Sequence, residues 1–526
     1  MGLPSRRAGR AVGLLSAALL LLFLSVSCVR TPLPGDDRPN LILIVTDDQN
    51  ADTLAFMPNV QRLLVDGGTS FSQAYAPTPL CCPARASLLR GQYAHNHGVR
   101  SNDGVSGGFP QFFGAGDEAS TLATWLQNAG YRTALVGKYF NAYPEGLVPP
   151  PGVTSPGGRY VPPGWSEWYG LLDIPLDPGA NPYAMYGYPM NQNGRVVRYG
   201  NDPDDYLTDV LGGLAAGFVD EAAPGDAPFF LYLAPPAPHL PAVPAPRHRG
   251  RFAGLQAPRT PSFNEADLSD KPAWLAGKRA LSPDAVRRLD RTYARQAETL
   301  LAVDEALGAL VDTLRARGEL ASTYFVFTSD HGLIAGEHRL VATKLAPYSA
   351  STRVPLAVAG PGVPAGRTVD ALTLLSDVAP TLADLAGVPV PGFVDGRSLR
   401  PWLGSSTLRL AARAQVLHEF WPREGFPVDT REEPAGSARV PEYRALRSTR
   451  YLYTEYRYPD GRTEPELYDL ARDPFELENV AATADPALLE AFSDKLDALQ
   501  ACRAATCREA ENSALAVTEP IPERAR

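Results

Sequence analysis

The chain has 526 residues, of which 44% are apolar and 20% charged, with Pro 51 and Gly 46. That length and balance suit one large α/β domain with a smaller companion and exclude a chain disordered along its whole length. A formal net charge of -9 excludes broad attraction to nucleic acid, so an anionic ligand has to be held by a local cluster of cations.

Arg6, Arg7 and Arg10 precede an apolar run from Ala11 to Leu24 and the small-residue stretch Ser25-Val26-Ser27-Cys28. This order predicts a signal peptide over residues 1–28 rather than a membrane span, and hence an exported protein, secreted or held at the cell surface. Cys28 resembles a bacterial lipoprotein cleavage site, with Ser25 where Leu is usual, so a lipidated Cys28 is the expected route to any membrane attachment. Ser5-Arg6-Arg7 leaves twin-arginine export open. The chain carries no N-x-Ser/Thr site and is rich in Ala, Arg and Pro, which disfavours a lysosomal home. Four further cysteines follow. Cys502 and Cys507, close in sequence, are expected to form a disulfide in an oxidising compartment, whereas adjacent Cys81 and Cys82 need another explanation.

Leu41-Ile42-Leu43-Ile44-Val45 reads as a strand buried on both faces of a parallel sheet, ending in Thr46-Asp47-Asp48, where open α/β sheets place ligands. Met57 to Leu64 has helical spacing, Pro58 near its start and Gly67-Gly68 as its stop. Ser120 is the expected cap of a helix through Leu122, Trp125 and Leu126, followed by a strand Thr133–Val136 that leads to Gly137-Lys138. Between Tyr143 and Pro189 periodicity is lost, which predicts an irregular excursion of the kind that shapes pockets.

Phe229–Leu233 predicts another strand, with His239 in the loop after it. Ser282-Pro283-Asp284 opens the clearest helix, which ends before Gly318, and Tyr324–Phe327 predicts a strand delivering Ser329-Asp330-His331-Gly332. A strand Val354–Val358 and a helix from about Asp377 complete a main domain over 38–403. Aromatic-rich strands such as Arg450–Tyr456, then a helix through Leu488, Phe492 and Leu496, predict a small antiparallel subdomain over 404–515.

The sharpest motif is Cys81-Cys82-Pro83-Ala84-Arg85, followed by a helical run to Arg90-Gly91. It resembles the signature C-x-P-S/A-R of the sulfatase family, in which the first Cys is oxidised to formylglycine (3-oxoalanine). Only counting from Cys81 places Pro83 and Arg85 correctly. A hydrated aldehyde has two hydroxyls on one carbon: one attacks sulfur, and the other later expels sulfate as the aldehyde re-forms. Pro83 suits the first turn of a helix whose amides face the anion, and Arg85 offers a fixed fork to its oxygens.

The resemblance extends from Asn40 to the segment Tyr468-Asp469-Leu470-Ala471-Arg472-Asp473-Pro474-Phe475-Glu476. It implies an alkaline-phosphatase-like α/β/α sandwich with a smaller C-terminal antiparallel-sheet subdomain. It implies that Asp47, Asp48, Asp330 and His331, with modified Cys81, hold Ca²⁺, with Mg²⁺ the weaker candidate for carboxylate oxygens. His331 stands where many members have Asn. Lys138, His239 and Lys344 match sulfate contacts alongside Arg85, and His239 is the candidate proton donor to the leaving oxygen.

Phe140 replaces the His of the arylsulfatase G-K-W-H pattern, and Lys138-Tyr139-Phe140-Asn141 is similar to glucosamine-6-sulfatases, which makes Asn141 a candidate substrate contact. With His95-Asn96-His97-Gly98 it leans toward a sulfated sugar over an aryl sulfate as the small-molecule or glycan partner. The family also implies a formylglycine-generating enzyme as maturation partner. Two rival expectations are a phosphate or phosphonate ester hydrolase of the same superfamily and a non-catalytic surface protein that binds sulfated glycans.

Overall fold

The computed structural model describes residues 37–145, 158–173, 181–404, 412–422 and 440–515. The expected signal peptide and Cys28 lie outside the described residues. Strand Asn40–Thr46 is buried at every position. It pairs in parallel with Thr323–Ser329 on one side and Phe229–Ala234 on the other. Arg132–Gly137 joins Phe229–Ala234, and Glu167–Leu171 joins Arg132–Gly137, again in parallel. Five neighbouring strands therefore bring their carboxyl ends to one edge of a ten-stranded sheet.

Alternation along Asn40–Thr46 decides what covers the two faces. Leu41, Leu43 and Val45 enter a core with Ala84, Leu88, Leu122, Trp125 and Leu382, from helices Cys81–Arg90, Leu122–Asn128 and Val378–Leu385. Ile42 and Ile44 enter another core with Leu211, Leu300, Val303 and Leu307, from helices Leu207–Ala222 and Pro283–Arg317. A buried Leu, Ile or Val side chain contributes about 1.5–3 kcal/mol by leaving water, so a polar residue on either face of this strand would be costly. The fold is the α/β/α sandwich expected from the sequence.

Several local expectations shift. Helix Leu122–Asn128 is capped by Thr121, in a reciprocal box with Thr124, while Ser120 instead accepts the Trp125 indole N–H at 2.9 Å. The helix beginning at Pro58 continues from Gln61 as a wider π-type turn to Val65. The segment read as irregular contributes strand Glu167–Leu171 to the large sheet, and Pro189–Gln192 pairs with it in antiparallel fashion. Leu356–Ala359 runs antiparallel to Thr323–Ser329, so the sheet is mixed. By contrast, Ser282 caps Pro283–Arg317 by accepting from the Ala285 amide at 3.2 Å, and Gly318 closes it at φ +79°, as the sequence predicts.

A second sheet of four antiparallel strands runs Gln415–Phe420, Glu442–Ser448, Tyr451–Arg457 and Thr463–Asp469. Leu488, Phe492 and Leu496 of helix Pro486–Gln500 share a core with Val416, Leu446 and Tyr453. Cys502 and Cys507 are bonded. The first strand of this sheet is tied to the chain leading into the Cys81 helix: the Glu419 amide donates to Pro77 O at 2.9 Å, and His418 Nδ1 lies 2.9 Å from Ala76 O.

Candidate active site

The site forms where the parallel strands end. Asp47 and Asp48 follow Thr46, and Asp330 and His331 follow Ser329, on neighbouring strands in direct register. Asp48 adopts a left-handed backbone at φ +66°, which Asp tolerates better than most side chains. Its amide then donates to Asp330 Oδ1 at 3.2 Å. Lys138 follows Gly137, where the next strand passes so close that a Cβ would lie 2.2 Å from Ala234 O, so glycine is required. The Lys138 amide donates to that same oxygen at 2.8 Å. His239 and Lys344 come from loops after Phe229–Ala234 and Val341–Thr343.

Into this ring points the start of helix Cys81–Arg90. Leu80 provides no side-chain cap, and Pro83 sits in the first turn. The Cys82 amide donates to Asn102 Oδ1 at 2.9 Å. Cys81 is fully buried. Its Sγ lies 3.2 Å from Lys344 Nζ, 3.4 Å from His331 Nε2 and 3.7 Å from Asp47 Oδ1. Lys138 Nζ donates to Asp47 Oδ2 at 2.6 Å, and Arg85 Nε donates to Asp330 Oδ2 at 3.0 Å. Lys344 Nζ lies 3.3 Å from both Asp48 Oδ1 and His239 Nε2, and His239 Nε2 lies 3.6 Å from Asp48 Oδ2.

Burial alone would raise the Asp47 carboxyl, but Lys138, His239, Arg85 and Lys344 outweigh it and hold it well below the usual carboxylate range. Asp48 is likewise lowered, burial being overcome by Lys344, His239 and His331. Burial pushes the Cys81 thiol up to about 12 despite the nearby lysines. An unmodified Cys81 therefore keeps its proton at neutral pH and is a poor nucleophile.

Donor chemistry supports a hard cation here. Asp47, Cys81, Asp330 and His331 bring one ligand atom each to within 4.8 Å of one another, as do Asp47, Asp48 and His239. Carboxylate oxygens from three aspartates fit Ca²⁺ or Mg²⁺ better than a soft metal.

All the sequence-selected residues but one converge on Cys81. Asn141 sits behind Cys82: its amide donates to Cys82 Sγ at 3.2 Å, and its Oδ1 accepts from that thiol at 3.3 Å. Its Nδ2 donates to the Tyr183 hydroxyl at 3.2 Å. Tyr183 packs its ring 4.3 Å from that of His239 and lies 5.1 Å beneath Lys138 Nζ. Sequence reasoning missed Tyr183 and Asn102. Neither carries a local signal, since Asn102 sits in a bend and Tyr183 in the short 3-10 helix Pro182–Ala184, and their importance arises only when the chain folds back.

The family model described as Sulfatase matches residues 39–388, and that described as N-sulphoglucosamine sulphohydrolase, C-terminal, matches 336–501. The human N-acetylglucosamine-6-sulfatase is 34% identical over 519 residues, covering 94% of this chain and 90% of that protein. An extracellular sulfatase SULF-1 homolog of Drosophila melanogaster is 37% identical over 414 residues, covering 78% of this chain. The chain spans only 34% of that longer protein. Among solved structures, one in complex with its substrate D-glucosamine-2-N,6-O-disulfate superposes with a TM-score of 0.66 at 23% identity, covering 90% of this chain and 99% of the other.

Proposed function

The chain belongs to the sulfatase family and is a sulfuric ester hydrolase, and on that premise we propose that it releases inorganic sulfate from a glucosamine-6-sulfate-like sugar through formylglycine made from Cys81. The observation that carries this reading is the convergence of Lys344, His331 and Asp47 on the buried Cys81 Sγ, at 3.2, 3.4 and 3.7 Å. The thiol stands in for the hydroxyls of the hydrated aldehyde. Asp47, Asp48, Asp330 and His331 would hold Ca²⁺, which when bound supplies positive charge to the sulfate oxygens and the nucleophile.

The chain's own groups account for the rest. Arg85, Lys138 and Lys344 neutralise charge that builds on the sulfate oxygens during transfer. One hydroxyl of residue 81 attacks sulfur and displaces the sugar oxygen, to which His239 Nε2 gives a proton, because an alkoxide leaves poorly. The remaining hydroxyl then returns its proton to His239 as the carbon–oxygen bond to sulfate breaks, the proton of the attacking hydroxyl passes to water, and a water molecule rehydrates the aldehyde. Tyr183, packed against His239 and near Lys138, would meet the sugar, and Asn141 would act through its hydrogen bond to Tyr183.

The sugar preference is supported by the Lys138-Tyr139-Phe140-Asn141 segment and by the name of the human relative. Action outside the cytoplasm is supported by the Drosophila relative being an extracellular sulfatase and by the basic and apolar N-terminus, with maturation by a formylglycine-generating enzyme. No helix among the described residues is long and apolar enough to cross a membrane.

The test is peptide mass spectrometry at residue 81 in protein from its native host, combined with sulfate release from N-acetylglucosamine 6-sulfate, an aryl sulfate and a phosphonate monoester. An aldehyde at residue 81 with fastest turnover of the sugar sulfate is the expected result. A persistent thiol with no turnover would overturn the mechanism, and faster phosphonate cleavage would overturn the substrate class.

A further inference from the structure

A cavity of about 370 Å³ lies apart from the Cys81 ring, between the short helix Ala94–His97, the end of strand Gln415–Phe420 and the disulfide turn. Its walls include Arg100, Arg457, Arg503, Trp421, Glu442 and His95. Of these cations Arg457 faces Glu442 at 3.5 Å, and His95 is paired with Glu419 at 2.7 Å. Among the described residues, the guanidinium groups of Arg100 and Arg503 make no ion pair. Arg100 instead rests on the Trp421 ring, 4.9 Å from its centroid. Both are exposed, and in a protein of net charge -9 two arginines without an ion pair on the wall of one cavity make it locally attractive to an anion.

The cavity is joined to the Cys81 site through the chain. Arg100 is two residues from Asn102, which accepts the Cys82 amide, and two residues span at most about 7 Å. Trp421 follows Phe420, which shares a hydrophobic cluster with Leu80, the residue before Cys81. The disulfide wall is fixed to the helix Ala94–His97, because Asn96 Nδ2 donates to Cys502 O at 3.1 Å. Stacking on Trp421 holds the Arg100 fork in place before a ligand arrives, so less side-chain freedom is lost on binding.

We propose that this cavity is a secondary anion subsite, in which Arg100 and Arg503 hold a sulfate or carboxylate group on another ring of the glycan whose sulfated residue sits at Cys81. The assignment rests on the sulfated-sugar reading for its choice of ligand. It makes the enzyme favour an anionic oligosaccharide over the same sulfated monosaccharide. Trp421 is a positioning residue for Arg100.

The test compares the full chain with its R100A/R503A variant. Binding of a heparin-derived tetrasaccharide is measured by calorimetry on both chains with Cys81→Ala added, so that no turnover occurs, and N-acetylglucosamine 6-sulfate hydrolysis is measured on both with Cys81 intact. The expected result is about tenfold weaker tetrasaccharide binding with a shallower salt dependence, monosaccharide kcat/KM within about twofold, and only partial recovery of binding in R100K/R503K, which keeps both charges but not the fork. If carboxyl reduction of the tetrasaccharide weakens wild-type binding to the same extent, the held group is a uronate; if it does not, the group is a sulfate, and both results uphold the subsite. Unchanged tetrasaccharide binding in R100A/R503A, or a parallel fall in monosaccharide turnover, overturns it. If the wild type cleaves no sugar sulfate while the binding difference persists, the substrate reading falls and the anion subsite stands.

Discussion

Two clusters of buried acid sit on either side of Lys138, and they behave in opposite ways. On one side Asp47 is fully buried, yet its carboxyl is held low because Lys138, His239, Arg85 and Lys344 surround it. On the other, Glu118 is 5% exposed and, among the described residues, accepts from neutral hydroxyls, Tyr139 at 3.1 Å and Tyr160 at 2.7 Å. Burial there wins over the hydrogen bonds and raises the carboxyl to about 7. Burial therefore leaves an anion where cations converge and a carboxyl raised toward neutrality where they do not. In the function proposed above the first arrangement serves chemistry, and no role there falls to the second, a separation that substitutions can probe.

The largest effect is expected on the charged side. Cys81→Ala removes the nucleophile and should lower sulfate release by about 10⁴-fold or more, with the unfolding midpoint little changed; comparable turnover in this variant would place the chemistry elsewhere. Lys344→Ala removes one cation of the ring and should reduce kcat by roughly 100- to 1,000-fold, about 2.7–4 kcal/mol, read in steady-state kinetics.

On the neutral side the expected effect is on stability. Because the folded pKa of Glu118 lies above its ordinary value of 4.5, the folded chain binds that proton more tightly than the unfolded one. The resulting stabilisation is fully present below pH 4.5 and is lost as pH rises through 7, a loss of about 3 kcal/mol. Glu118→Gln should remove this share of the pH dependence in urea titrations between pH 4.5 and 8 while leaving sulfate release intact. A matching pH slope in both proteins would show that Glu118 is not the source. The smallest effect is expected from Tyr183→Phe, which keeps the ring beside His239 and deletes the hydroxyl that accepts from Asn141. A fall of about 2- to 10-fold in kcat/KM is expected, and no change would confine Tyr183 to packing.

The charged side was legible in the sequence and the neutral side was not. Asp47, Asp48, Asp330 and His331 follow continuous apolar runs, whose burial on both faces fixes them as central strands, and Cys81 is marked by the fixed spacing to Pro83 and Arg85. Glu118 precedes a helix and looks like an ordinary first-turn acid, because the tyrosines that trap it come from positions 139 and 160. Strand Glu167–Leu171 escaped notice because Pro and Gly surround it and its five residues show no continuous apolar run; pairing with Arg132–Gly137 makes it a strand. Ser120 and Thr121 are equally good caps by composition, and only the turn geometry selects Thr121. For Glu118 and for strand Glu167–Leu171, a contact distant in sequence outweighed local preference.

The burial of Cys81 has a consequence in time. Its wall is completed by Lys344, 263 residues later in the chain. At a synthesis rate of about 5–20 residues per second, residue 344 is made roughly 13 to 50 seconds after residue 81. On the maturation proposed above, an enzyme that oxidises residue 81 would need the thiol in its own active site, so its opportunity would fall before that wall closes, on the nascent chain rather than the finished fold.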